Sequence, residues 1–150
     1  MENLVKKLAT SGLTISSCES LTGGLFADSV VSVSGASKVF VGALVTYATR
    51  IKAEVANVEY DVIERDGVVS GSVASQMAEN VASIMKSDIG VSFTGNAGPD
   101  VMEGKPAGLV YSAIYYGGKT IVYEDHLQGN RCEVRSQCVE LMKQRLLQLL

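Results

Sequence analysis

Three segments of the chain repeat apolar residues at helical spacing. The first lies near the N-terminus, where Gly12 ends it, and its apolar face consists of Leu4, Val5 and Leu8. The clearest spans 72–85, with Ser70 or Ser72 as its N-terminal cap, and its apolar face consists of Val73, Met77, Val81 and Met85. The last spans about 131–149 and is expected to bury Val134, Cys138, Leu141 or Met142, and Leu149. Shorter helices are expected over about 24–32 and 50–57.

Apolar runs without helical spacing predict the strands. Segments 13–17 and 89–93 are short candidates. The longer run 39–47 is continuously apolar, which indicates a strand buried on both faces. Segments 108–116 and 120–127 flank Gly117-Gly118, a pair typical of a tight hairpin turn, so these two strands are expected to be antiparallel.

The order of these elements predicts one α/β domain over residues 1–150. Helices alternate with buried strands, and the hairpin adds antiparallel strands at the end of the sheet. A chain of 150 residues is long enough to bury a core in a single domain. We therefore expect a three-layer α/β/α sandwich with a mixed parallel/antiparallel sheet covered by helices on both faces.

Composition and charge narrow the classes of function. The net charge is −3 and no Lys/Arg run is present, which argues against nucleic acid as the main partner. The three cysteines, Cys18, Cys132 and Cys138, form no CxxC pair, which fits a reduced, intracellular protein. His126 is the single histidine, which argues against a structural zinc site. The N-terminus lacks the apolar stretch of a signal peptide, and no segment reaches the length of a membrane span. These observations predict a cytoplasmic protein with no membrane partner.

Segment 18–24 carries the strongest indication of function. A predicted strand runs into Ser20, Thr22, Gly23 and Gly24 and then turns into a helix, so that backbone N–H groups converge on one point. Such a point attracts a phosphate, a carboxylate or a developing oxyanion. A serine at this position either binds the anion or acts as a nucleophile, and the local sequence allows both.

A nucleophilic serine needs a base, and the chain offers two kinds. His126 lies on the predicted hairpin, far from either glycine loop, which argues against a Ser-His-Asp triad. Tyr47 and Lys52 lie at and beyond the end of the apolar run, and a buried lysine with a lowered pKa activates serine in the same way. The common alternative for Lys52 is an exposed, solvated side chain.

A second glycine loop, 94–100, follows the strand predicted over 89–93. It is either a tight turn or a backbone that approaches a ligand closely, and two such loops in one short domain favour the ligand. Lys105 is either solvated or a phosphate partner. Arg131 and Arg135 share a helix face and bind an anion, a neighbouring subunit or only solvent. Glu19 either hydrogen-bonds the turn or assists proton transfer.

Together these motifs resemble the CinA C-terminal domain family, the nicotinamide-nucleotide amidohydrolases, from about residue 4 to residue 147. The matching pieces occur in the family's order: Glu19-Ser20-x-Thr22-Gly23-Gly24, Tyr47 with Lys52, Gly67-Val68-Val69-Ser70, Thr94-Gly95-x-Ala97-Gly98-Pro99, Lys105-Pro106-x-Gly108 and Arg131-x-x-x-Arg135. Many relatives carry a further N-terminal domain, so this chain resembles the stand-alone form.

The resemblance implies hydrolysis of the carboxamide of nicotinamide mononucleotide to nicotinic acid mononucleotide and ammonia, without a metal or another cofactor. It implies Ser20 as the nucleophile, with Lys52 and Tyr47 as activating partners, in a homo-oligomer. The substrate-binding residues that it implies are Glu19, Thr22, Gly23, Gly24, Thr94, Gly95, Ala97, Gly98, Lys105, Arg131 and Arg135.

Several departures from the family pattern bear on the substrate. Leu21 stands where a small residue is common, and Ala48-Thr49 replaces Ser-Asn. Asn96 stands where a hydrophobic residue is usual, and Val101-Met102 replaces Gly-Gly. These departures keep two other functions open: a nucleotide-binding module without efficient catalysis, and an amidase for another small carboxamide.

Overall fold

A five-stranded sheet lies between two layers of helices in the computed structural model, which describes residues 1–150. The elements in chain order are α1 (Glu2–Ser11), β1 (Ile15–Glu19), α2 (Leu25–Val31), a short 3-10 turn (Ala36–Lys38), β2 (Phe40–Val45), α3 (Thr49–Glu54), α4 (Tyr60–Asp66), α5 (Gly71–Met85), β3 (Ile89–Gly95), β4 (Leu109–Tyr116), β5 (Lys119–His126) and α6 (Arg131–Leu149).

The strand order is β2-β1-β3-β4-β5, and the sheet is mixed. Strand β1 is parallel to both β2 and β3, whereas β4 is antiparallel to β3 and to β5. The carboxyl ends of β1, β2 and β3 therefore lie at one edge of the sheet, where ligands of α/β proteins usually bind. The predicted fold class is confirmed.

Each face of the sheet has its own core. Helices α1, α2 and α6 pack on one face, against residues such as Val91 and Phe93 of β3. Helix α5 packs on the other face, where Ser92 donates to the carbonyl oxygen of Ala74 at 2.6 Å. Successive side chains of β3 thus point alternately to the two helical layers, because side chains alternate between the faces of a strand.

Several local predictions are confirmed. Gly12 ends α1 in the left-handed conformation, and Ser70 caps α5 by accepting from the backbone N–H of Val73. Gly117 and Gly118, at φ of 60° and 76°, form the hairpin turn. These positive angles explain the glycine pair, because side chains rarely adopt them.

Other details were wrong. Strand β2 is an edge strand with Val41 and Val45 exposed, so the apolar run 39–47 is not buried on both faces. Near the C-terminus Leu146 is buried and Leu149 is exposed, because the helix turns its last residue out of the core. Strand β1 begins at Ile15, two residues later than expected, and α4 was not predicted. No helix combines the length and the apolar character needed to cross a membrane.

Candidate active site

Three parallel strands bring the predicted loops to one edge of the sheet. Ser20 directly follows β1, Tyr47 lies two residues beyond β2, and Gly95 ends β3. They meet around a cleft of about 420 Å³, a size typical of small-molecule sites, which span roughly 300–1,000 Å³. The predicted site residues that line it are Ser20, Tyr47, Gly95, Ala97 and Arg131.

Lys52 and Ser20 form the central polar contact of this cleft. Lys52 belongs to α3, and only 1% of its surface is exposed. Its Nζ donates to Ser20 Oγ at 3.0 Å and to the carbonyl oxygen of Thr46 at 2.8 Å. The N–H of Thr46 donates in turn to the carbonyl oxygen of Glu19 at 2.8 Å. Backbone on both sides therefore fixes the lysine against the serine.

The surroundings of Lys52 make its neutral form easier to reach than that of a solvated lysine. Burial lowers the pKa of Lys52, because the ammonium group loses its hydration. Beside it, burial raises the pKa of the Cys18 thiol to about 11. A neutral lysine can accept the hydroxyl proton of Ser20, whereas His126 lies on β5 at the far edge of the sheet.

Glu19 is buried and bonded to the start of α2. Its carboxylate accepts from the backbone N–H groups of Gly24, Phe26 and Ala27 at 2.9–3.1 Å and from Ser17 Oγ at 3.0 Å. A carboxylate at this position satisfies helix N–H groups that otherwise lack acceptors. The Glu19 carboxylate thus occupies the α2 N-terminus, where the sequence pattern indicated an anion.

The rest of the loop after Ser20 is shaped from within the protein. Gly23 and Gly24 have φ of 58° and 95°, which lets the chain turn sharply from β1 into α2. Arg135 donates to the carbonyl oxygens of Leu21 at 3.0 Å and Thr22 at 2.7 Å. The buried Thr22 Oγ1 has no hydrogen-bond partner. Thr22, Gly23, Gly24 and Arg135 lie outside the cleft lining.

Arg131 connects the two sides of the cleft. It donates from Nη2 to Tyr47 Oη at 2.8 Å and from Nη1 to the carbonyl oxygen of Gly98 at 2.9 Å. Tyr47 is 60% exposed and makes no hydrogen bond to Ser20 or Lys52. The structure thus places Tyr47 in the cleft wall beside a guanidinium.

Lys105 is held in a network behind the second glycine loop. Its Nζ donates to the carbonyl oxygen of Val69 at 2.5 Å and to Glu103 at 3.0 Å. Burial raises the pKa of Glu103, but hydrogen bonds from Lys105 and from the N–H groups of Val68 and Val69 outweigh burial and lower it overall. The hydroxyl of Thr94 also has a partner within the protein, since it donates to the carbonyl oxygen of Val68 at 2.6 Å. Neither Lys105 nor Thr94 lines the cleft.

Several backbone donors remain unused at the cleft, including one directly after Ser20. The N–H groups of Leu21 and Ala97, both lining residues, donate to no acceptor within the protein. Leu21 directly follows Ser20, and Ala97 belongs to the second glycine loop. Unpaired donors beside a serine are suited to an oxyanion.

The family model of the CinA C-terminal domain matches residues 1–150. The chain belongs to this family. It is 44% identical over 135 residues to a competence-damage inducible protein of Oceanobacillus iheyensis, covering 89% of this chain and 32% of the relative. A Bacillus subtilis relative of the same description is 43% identical over 139 residues, covering 90% of this chain and 33% of the relative. The chain thus spans about a third of the length of these curated relatives.

Solved structures of CinA superfamily members share the fold. An Escherichia coli protein superposes with a TM-score of 0.95 at 30% identity, covering 99% of this chain and 90% of that one. The competence/damage inducible protein CihA of Agrobacterium tumefaciens superposes with a TM-score of 0.91 at 31% identity, covering 99% and 94%. The architecture and the placement of the loops thus follow the CinA family.

Several residues that shape this CinA-family cleft received no role from the sequence. Asp100 and Met102 line it, and Glu103 anchors their loop to the 68–69 backbone. Met102 entered the sequence argument only as a departure from the family pattern. Nothing in the local sequence indicated Glu103, because its acceptor role depends on backbone N–H groups 34 and 35 residues away.

Proposed function

We propose that this CinA-family domain is a serine–lysine amidase that hydrolyses the carboxamide of nicotinamide mononucleotide to nicotinic acid mononucleotide and ammonia. The contact that carries the proposal is the 3.0 Å hydrogen bond between Lys52 Nζ and Ser20 Oγ. Burial of a lysine lowers the stability of the fold. Its contact with a serine at a cleft therefore supports a role in catalysis.

The proposed reaction is acyl transfer in two steps. Neutral Lys52 takes the Ser20 hydroxyl proton while Oγ attacks the carboxamide carbon. The tetrahedral oxyanion accepts hydrogen bonds from the N–H groups of Leu21 and Ala97. Lys52 returns the proton to the amide nitrogen, the C–N bond breaks and ammonia leaves. Water, activated by the same lysine, then cleaves the ester and restores Ser20.

Arg131 is the residue that we assign to the substrate phosphate, since it is the one cationic side chain in the cleft lining. A guanidinium offers paired N–H donors to phosphate oxygens. We propose that Tyr47, which lines the cleft, holds this guanidinium in place through its hydroxyl. In this proposal Glu19, Thr22, Gly23, Gly24, Thr94, Lys105 and Arg135 shape the loops rather than contact the substrate.

The direct test incubates the purified chain with nicotinamide mononucleotide and follows both ammonia and nicotinic acid mononucleotide. We expect the two products in equal amounts, and no product from Ser20→Ala. Ser83→Ala, an exposed serine of α5, is the matched control and should keep full activity. Product formation that persists in Ser20→Ala would disprove the nucleophile.

A second candidate substrate class is another small carboxamide. It is favoured by Val101 and Met102, which add apolar surface to the cleft at positions where the family commonly has Gly-Gly. A panel of aliphatic and aromatic carboxamides in the same ammonia assay separates the two classes. Nucleotide binding without ammonia release from any of them would instead indicate a binding module.

We also propose that the protein self-associates in the cytoplasm. The support is the unpaired edge strand β2, which exposes Val41 and Val45, because exposed apolar edges favour pairing with another chain. Light scattering coupled to gel filtration tests this proposal, and a monomer at all concentrations would contradict it.

A further inference from the structure

The loop beyond β3 is fastened by one buried side chain. Asn96 is 3% exposed, and its side-chain amide bonds both the N–H and the carbonyl oxygen of Met102. Its Nδ2 donates to the Met102 carbonyl oxygen at 3.1 Å, and its Oδ1 accepts from the Met102 N–H at 3.0 Å. Nδ2 also donates to the carbonyl oxygen of Lys105 at 3.0 Å.

Three hydrogen bonds from a buried amide fix this loop more firmly than an apolar side chain at the same position would. The backbone of Asn96 is itself anchored, since its N–H donates to Leu109 and its carbonyl oxygen accepts from Gly108. The position of Met102 thus depends on Asn96, and Asn96 depends on the sheet.

The side chains presented by this loop are apolar and exposed. Val101 is 47% exposed and Met102 is 50% exposed, and both line the cleft beside Ser20. We call Val101 and Met102 the lip. Exposed apolar side chains on a firmly held backbone are typical of a surface that a ligand covers. Methionine in particular makes favourable contacts between its sulfur and aromatic rings.

The topology of the sheet places the lip opposite Tyr47. Tyr47 follows β2, the lip follows β3, and Ser20 follows β1, which lies between those two strands. Arg131 bonds both sides, through Tyr47 Oη and the carbonyl oxygen of Gly98. The cleft is therefore bounded by an aromatic wall and an apolar wall, with the serine between them.

We propose that Asn96 is a positioning residue that holds the lip against the face of a flat ring next to the carboxamide attacked by Ser20. The lip then selects aromatic carboxamides over aliphatic ones. This inference rests on the proposed amidase function, which supplies the carboxamide at Ser20. Val101 and Met102 contact the ring, and Asn96 holds them in place.

The experiment compares ligands with and without the ring in the Ser20→Ala background, by calorimetry. Nicotinamide mononucleotide carries the ring, and ribose 5-phosphate shares its sugar and phosphate. We expect Met102→Ser and Asn96→Leu each to weaken nicotinamide mononucleotide binding about 10-fold, the lower end of the effect of small apolar contacts. Ribose 5-phosphate binding should stay the same. Val31→Ser removes a similarly exposed apolar side chain away from the cleft and should change neither affinity.

Each outcome decides the inference. Unchanged nicotinamide mononucleotide binding in Met102→Ser, or an equal loss for both ligands, overturns the role of the lip while the ammonia assay on unmodified protein still reports the amidase. Met102→Ser alters only an exposed side chain, so it decides the role of the lip even if Asn96→Leu fails to fold. In that case Asn96→Asp, which keeps the size of the side chain but loses the two hydrogen bonds donated by Nδ2, tests the positioning role, and unchanged nicotinamide mononucleotide binding in it would overturn that role. Absence of ammonia release together with absence of nicotinamide mononucleotide binding overturns both proposals.

Discussion

Lys52 and Ser20 lie 32 residues apart in sequence, and the backbone of Thr46 joins them. The Thr46 N–H is bonded to Glu19, directly before the serine, while its carbonyl oxygen accepts from Lys52. The serine and the lysine are therefore positioned by the pairing of β1 with β2. Because one lysine N–H is committed to Thr46, the lone pair that appears on deprotonation is available to the serine hydroxyl.

The first prediction concerns the pH dependence of this pair. Burial lowers the pKa of Lys52, so the neutral base is present at a lower pH than for a solvated lysine. We expect kcat/KM for nicotinamide mononucleotide to rise with pH through one ionisation and to level off below pH 10.5, the ordinary pKa of a lysine side chain. A rate profile from pH 6 to about 10 measures it.

Substitution of Lys52 provides the control for this ionisation. Lys52→Arg keeps a charge that is not lost in this pH range, so it should reduce kcat/KM by about 10²–10⁴-fold and remove the pH dependence. A variant that keeps the rising limb would show that another group titrates.

The same ionisation links stability to pH. With its pKa lowered by folding, Lys52 binds fewer protons in the folded state than in the unfolded state between its folded pKa and 10.5. The contribution of Lys52 to the free energy of unfolding should therefore rise with pH in that window, and Lys52→Met should lack this increment. Urea titrations of both proteins at several pH values measure the difference, and parallel curves would contradict it.

The second prediction separates the two arginines of α6. Arg131 lines the cleft, whereas Arg135 holds the loop after Ser20. We expect Arg131→Gln to raise KM for nicotinamide mononucleotide about 10-fold or more, because a charge-assisted phosphate contact is lost. KM for nicotinamide riboside, which lacks the phosphate, should change little. Arg135→Gln should instead lower kcat for both substrates, and the reverse pattern would exchange the two roles.

Much of the fold could be predicted because periodicity and turn residues are local properties. The capped helix over 71–85, the Gly117-Gly118 hairpin and the 131–149 helix all follow from nearby residues. Strand β2 shows where this reasoning fails. Its apolar run indicates burial, but only the strand order reveals that it is an edge strand, and that order depends on pairing between distant segments.

The candidate site divides in the same way. The resemblance implies both Lys52 and Tyr47 as partners of Ser20. Lys52 Nζ lies 3.0 Å from Ser20 Oγ, whereas Tyr47 Oη accepts from Arg131. The contacts of Glu19 with three N–H groups of the α2 start were an alternative that the sequence left open. The partners of Tyr47 and Asn96 were not predictable, since Arg131 lies 84 residues from Tyr47 and the Asn96 bonds depend on an irregular loop.

The third prediction concerns Glu19. Glu19→Gln replaces an acceptor oxygen of a buried carboxylate with an NH2 group, which leaves N–H donors at the start of α2 without an acceptor. We expect a loss of about 3 kcal/mol in the free energy of unfolding. Chemical denaturation measures it. Glu64→Gln, an exposed glutamate of α4, should change stability by less than about 0.5 kcal/mol. A Glu19→Gln protein as stable as the unmodified chain would show that the carboxylate is not needed to cap α2.

The fourth prediction compares two strand glycines that face α5. A Cβ at Gly90 would lie 2.0 Å from the carbonyl oxygen of Ala78, and a helix backbone cannot yield to it. At Gly42 the nearest atom is Met85 Sδ at 3.4 Å, which belongs to a flexible side chain. We expect Gly90→Ala to lower the free energy of unfolding by about 3 kcal/mol, and Gly42→Ala to change it by less than about 0.5 kcal/mol. Equal stabilities of the two variants in urea titrations would mean that α5 can move away from β3.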